Sequence, residues 1–244
     1  MNTYRFRILV LASSLALLSS LGLWATAVEA WWTPPPSSSC GSSTFPATGQ
    51  TASYPPLLKI TDAPVRDDGL VRAGGALSYQ NNGDGTITDL NTGLMWEQKI
   101  RDIVTAKGNH DVTLTFPWDS AAPTIWDWLE EVNAEGGTGL AGYNDWRIPN
   151  VKELQSIVDY GKFILAVDPA FNNGPGFNNG PFFPSCSVAE CSLTGPGDYW
   201  SATSFDISPF NAWLVHFGFG GGSVHFSGKT STNFVRAVRG GCVP

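Results

Sequence analysis

Charge is the first thing this sequence has little of. Asp, Glu, Lys and Arg make up 14% of the 244 residues, against roughly 25% in ordinary globular chains. Acidic residues outnumber basic ones, 21 to 14, and the basic ones form no cluster along the chain. Such a balance repels phosphate backbones and sulfated polymers, which argues against nucleic acid as a partner. Histidine is scarcer still, at three residues, and the four cysteines include no Cys-x-x-Cys pair, so zinc-site spacing is missing. No Gly-x-Ser-x-Gly nucleophile elbow occurs, and neither Gly-X-Y nor heptad repeats supply a fibrous stalk. After residue 30 no apolar run is long enough to span a bilayer.

What is present begins with an export signal. Arg5 and Arg7 precede an apolar run over residues 8–24, and small residues follow at the spacing a signal peptidase accepts, so residues 1–30 read as a secretory signal peptide. The competing reading, a retained anchor, is disfavoured by four serines within that run and by its length. Cleavage removes Arg5, Arg7 and Glu29 and leaves 12 basic against 20 acidic residues, a net of −8. The expected location is exported: periplasmic, cell-surface or secreted. In that compartment four cysteines imply two disulfides. Three pairings exist, and the favoured one joins Cys186 to Cys191 and Cys40 to Cys242.

Residues 31–75 are rich in Pro, Ser and Thr and read as a linker or N-terminal arm; residues 76–244 read as the folded domain. Within it, Asn150 followed by Glu153 forms a capping-box pattern just after Pro149, with Val151, Leu154, Ile157 and Val158 at helical spacing. A second amphipathic helix is expected over residues 121–133, from Ile125, Trp128, Leu129 and Val132. Short strands are expected over 76–79, 86–88, 94–97, 199–203, 211–217, 223–227 and 234–239. Between the helix that starts at Asn150 and Tyr199 lies a long loop in which Phe-Asn-Asn-Gly-Pro occurs twice, at 171–175 and 177–181. Asp145, Trp146 and Arg147 read as a knot seating the helix, an indole flanked by a carboxylate and a guanidinium. Arg236 and Arg239 fall on opposite faces of an ideal strand and so serve different partners.

Four motifs together carry a resemblance. Thr92-Gly93-Leu94-Met95-Trp96-Glu97, the run Tyr143-Asn144-Asp145-Trp146-Arg147-Ile148-Pro149, Tyr199-Trp200-Ser201-Ala202-Thr203, and Val235-Arg236-Ala237-Val238-Arg239-Gly240-Gly241 occur in the order seen in the Lcl C-terminal domain family. The chain resembles that family, named after the end domain of a bacterial collagen-like adhesin. The resemblance implies an α+β, C-type-lectin-like domain with two helices, short antiparallel strands and a long stapled loop. Trp96, Asp145, Trp146, Arg147, Pro149, Glu153, Trp200, Arg236 and Arg239 are then structural motif residues.

The resemblance also implies a secreted or surface-associated, non-enzymatic binding module for glycan or extracellular matrix ligands. Exposed-loop aromatics and amides suit sugars, and Trp213, Phe177, Asn178 and Asn179 are the candidate ligand residues. A structural or oligomerisation module of the cell envelope is the alternative. An enzyme on a fold like that of the formylglycine-generating enzymes is a third reading, but the copper-binding cysteine pair of those enzymes has no counterpart. A Ser201, His216 and Asp206 triad exists only on paper. We expect no metal and no cofactor. The metal candidates are the Asp84 turn, where calcium would lack its bidentate Glu, and His216 with His225, placed opposite each other if their hairpin centres on Gly220 and Gly221.

Overall fold

The computed structural model describes residues 45–53, 67–101, 108–121, 123–174 and 191–240. The expected signal segment, Cys40, Cys186, Cys242, Phe177, Asn178 and Asn179 lie outside the described residues. No helix among the described residues is long and apolar enough to cross a membrane.

In chain order, helix α1 (Asp68–Val71) precedes strands β1 (Tyr79–Asn81), β2 (Thr86–Asp89), β3 (Leu94–Glu97) and β4 (Thr115–Pro117). Helices α2 (Ile125–Ala134) and α3 (Val151–Ser156) follow. Strands β5 (Asp198–Ser204), β6 (Asn211–His216), β7 (Val224–Gly228), β8 (Thr232–Phe234) and β9 (Val238–Gly240) complete the chain. The strands form two sheets, ordered β1-β2-β3-β9 and β4-β8-β5-β6-β7. The first is antiparallel throughout; in the second, β5 and β8 meet in parallel at Tyr199 and Phe234.

This architecture corrects the expected α+β, C-type-lectin-like class. Among the described residues, nine strands in two sheets carry the fold, and the longest helix has 10 residues. Both expected helices form, but shorter than their apolar spacing allows. Thr124 caps α2 through its side chain, so the helix starts at Ile125 instead of near residue 121. In α3, Asn150 and Glu153 close the capping box, yet the helix ends at Ser156 because Val158 leaves it to bridge Val167. Ile157 and Val158 are buried in the core without being helical. Strand content grows in turn. β4 forms where no strand was expected, and the single strand expected over 234–239 divides into β8 and β9, one in each sheet.

The larger sheet is buried on both faces. Tyr199 and Val215 enter one apolar cluster with Ile87, Trp96, Leu154, Phe171 and Val238. Their neighbours Trp200 and Leu214 enter another, with Ile125, Trp128, Val132, Trp146 and Ala237. Residues alternate faces along a strand, so a strand buried on both faces must be apolar at consecutive positions, as Tyr199-Trp200 and Leu214-Val215 are. Gly139 is demanded by close approach: its φ is +86°, and a Cβ there would collide with the Tyr143 carbonyl.

Candidate functional site

The motif residues hold backbone in place. Trp146 exchanges two bonds with Asn133 of α2: its N–H donates to Asn133 Oδ1 at 2.8 Å, and Asn133 Nδ2 donates to its carbonyl at 2.9 Å. Its indole Nε1 donates to Leu140 O at 3.0 Å. Arg147 forks onto Glu153, both nitrogens at 2.7 Å, and Glu153 also accepts the Asn150 N–H at 2.9 Å. Arg239 pairs with Asp145 at 2.7 Å while its guanidinium lies 3.6 Å over the Tyr143 ring. Pro149 O accepts Ala202 N–H, and Trp200 Nε1 donates to Phe116 O. Trp96 is fully buried. Cys191 is disulfide-bonded, with its partner outside the described residues.

Beneath these lies an ionic frame that sequence reasoning missed. Glu97, at the end of β3, is fully buried, and its Oε1 is 2.7 Å from both Lys99 Nζ and His110 Nδ1. Its other oxygen accepts the Ala237 N–H at 2.9 Å. Burial alone would push the Glu97 carboxyl up, but the adjoining Lys99 and His110 cations hold it down at about 2. Buried Arg236 donates to three oxygens: Glu97 O at 2.8 Å, Leu193 O at 2.7 Å and Thr194 Oγ1 at 3.1 Å. Burial lowers the Lys99 ammonium despite Glu97, and its Nζ lies 4.5 Å over the Trp128 ring.

The side chains named as metal candidates turn to neighbours in the fold. Asp84 Oδ1 accepts the N–H and hydroxyl of Thr86 and closes its own turn. His225 faces Leu214, not His216, because the hairpin centres one residue earlier than expected, between Phe219 and Gly220. Asp198 joins the two histidines instead, with Oδ1 2.7 Å from His216 Nδ1 and Oδ2 3.3 Å from His225 Nε2. Among the described residues no group of three or more His, Cys, Asp or Glu side chains is arranged to hold a metal ion. Of the paper triad, Ser201 is buried with its Oγ donating to Trp213 O at 2.7 Å, and His216 turns to Asp198.

Trp213 belongs to a cluster on the outer part of the larger sheet. It is the direct cross-strand partner of Phe226, and Phe205 joins them from the residue after β5. Phe205 and Phe226 stack with centroids 4.3 Å apart and 14° between planes. Trp213 stands edge-on to both, at 5.3 and 5.9 Å. Phe226 is 47% exposed, and in the adjoining β5–β6 connection Ile207 and Phe210 are 87% and 85% exposed. At the same end, Lys229 donates its N–H to Phe210 O and its Nζ to Ser204 Oγ, and lies 3.8 Å over the Trp118 ring. Trp118 meets Trp126 edge-on at 4.9 Å. Sequence reasoning singled out Trp213 but not Phe205, Ile207, Phe210 or Phe226. The available signal was apolar residues inside the turn Phe205-Asp206-Ile207-Ser208-Pro209-Phe210, where a mere connection needs none.

The molecule is thus a two-sheet, β-rich domain with charge inside and a cluster of rings outside. Residues 85–239, more than half of the chain, match the Lcl C-terminal domain. The chain belongs to the Lcl C-terminal domain family, a family of surface- or adhesin-associated domains. Among curated proteins, none matches it.

Proposed function

We propose that the chain is an exported, surface-associated, non-enzymatic binding module that takes neutral glycan on the Phe205, Trp213 and Phe226 face. One observation carries the reading: three rings in mutual contact are left partly open, two on the paired strands β6 and β7 and one just after β5. Flat rings cover the C–H faces of sugars, and a preformed platform loses little entropy on binding. The chain's acidic excess favours an uncharged glycan over a polyanion. Ser208 and Asn211, bonded to each other at 3.0 Å beside the rings, offer hydroxyl and amide groups to sugar hydroxyls.

The test is a glycan array of the oxidised protein, followed by calorimetry on the best hit. Trp213→Ala is expected to weaken binding about tenfold, the scale of one aromatic contact. Equal affinity of wild type and Trp213→Ala would remove this face from the reading. Absence of any glycan hit, with concentration-dependent association in light scattering that Phe210→Ser abolishes, would favour an assembly role through exposed Ile207 and Phe210.

A further inference from the structure

We propose that His110 works as a pH-operated latch: as an imidazolium it fastens the end of α2 to the buried Glu97 carboxylate, and it lets go as pH rises. The proposal is independent of the glycan reading.

The geometry assigns the proton. His110 Nδ1 lies 2.7 Å from Glu97 Oε1, and its Nε2 lies 2.7 Å from Glu135 Oε2. Ionised carboxylates only accept hydrogen bonds, so both ring nitrogens must donate, and only the doubly protonated ring has two N–H groups. Glu97 is kept ionised in its buried position by Lys99 as well. The charged groups facing the ring are Glu97 of β3, Lys99 just after it and Glu135 following α2, and Asp111 and Arg236 in turn face Lys99.

The ring spans inside and outside. Its inner partner is fully buried, whereas Glu135 is 44% exposed. When the ring loses a proton, one nitrogen turns a lone pair toward a carboxylate. Water can solvate Glu135 but cannot reach Glu97, so the outer bond is the one given up. Glu135 O accepts Thr138 N–H at 3.1 Å and Gly139 N–H at 2.7 Å, and release therefore loosens the turn that follows α2. The rest of α2 stays seated, because Trp128 Nε1 still donates to Asn109 O at 2.9 Å.

Burial works against the charged ring, but the hydrogen bond and charge of Glu97, aided by Glu135, outweigh it and raise His110 above its ordinary 6.5. A raised histidine contributes its stability in full below the ordinary value and loses it as pH climbs through the raised one. Release therefore belongs at higher pH than an ordinary histidine would set.

The experiment is a pH titration of the full oxidised chain, reading the His110 ring by nitrogen-15 NMR and the Gly139 amide by hydrogen exchange corrected for its intrinsic base-catalysed rise. The expected result is a doubly protonated ring at pH 6, with a severalfold loss of Gly139 protection coinciding with ring deprotonation. Glu135→Gln, which leaves the buried pairs intact, is expected to move the ring titration to lower pH, and His110→Gln to remove the protection step. A singly protonated ring at pH 6, an unmoved titration in Glu135→Gln, or an unchanged step in His110→Gln would each overturn the latch. If His110→Gln does not fold, the ring protonation and the Glu135→Gln shift decide.

Discussion

The frame around Glu97, on the smaller sheet, and the face around Trp213, on the larger one, treat side chains in opposite ways. The frame draws Glu97, Lys99 and Arg236 almost wholly out of water and gives each fixed partners from distant segments. The face leaves Phe226 and Phe210 open, and its rings touch neighbours on adjacent strands or their ends. A buried charge needs partners from every side, so in a chain with few charges the frame has one workable arrangement and sets geometry. Rings that folding leaves exposed are free for another molecule, and contiguous exposed apolar surface is where binding is expected.

The strongest way to break the comparison is Glu97→Ala. It strands two cations and the Ala237 N–H, and is expected to cost about 3–5 kcal/mol of folding free energy, read by urea unfolding. Any glycan affinity of the fraction still folded should be unchanged, since the face does not use Glu97. A sharper version replaces Glu97, Lys99 and His110 together with Leu, Met and Phe. If partners rather than charge are what matter, stability should return to within about 1–2 kcal/mol of wild type despite the same lost ion pairs.

On the face, the same measurement should barely move. Trp213→Ala is expected to cost about 1 kcal/mol in unfolding, because the indole is only half-buried, while binding falls as stated above. The smallest effect is expected for Lys229→Ala. It removes a partly exposed cation from the Trp118 ring and one bond to Ser204, worth about 0.5 kcal/mol by thermal unfolding.

Legibility in the sequence follows the same divide. The α3 start was legible because Asn150, Glu153 and Pro149 act on backbone within three residues of themselves. The β6–β7 hairpin was legible from alternation, though its turn centres one residue earlier, which shifts the pairing by two and moves the partner of His225 from His216 to Leu214. The fold class was misread because apolar spacing marks which residues are buried, not how long the helix beneath them runs. Ile157 and Val158 are buried past the end of α3. The division of the last strand was invisible, since Val235, Arg236 and Ala237 alternate like any strand. It comes from Glu97 capturing Arg236 through its carbonyl and Ala237 through its carboxylate.

The sequence by itself determined the helix caps, the turn glycines, the strand segments and the aromatic hairpin, because each depends on dihedral preferences and side chains a few positions apart. Only the tertiary structure decided which sheet each C-terminal strand joins, that Asp198 bridges two histidines, and that Glu97, Lys99, His110 and Arg236 form one frame. Those outcomes require groups as much as 140 positions apart to leave water together. Desolvating any of them is unfavourable until its partners have arrived, so no local stretch of chain carries the arrangement.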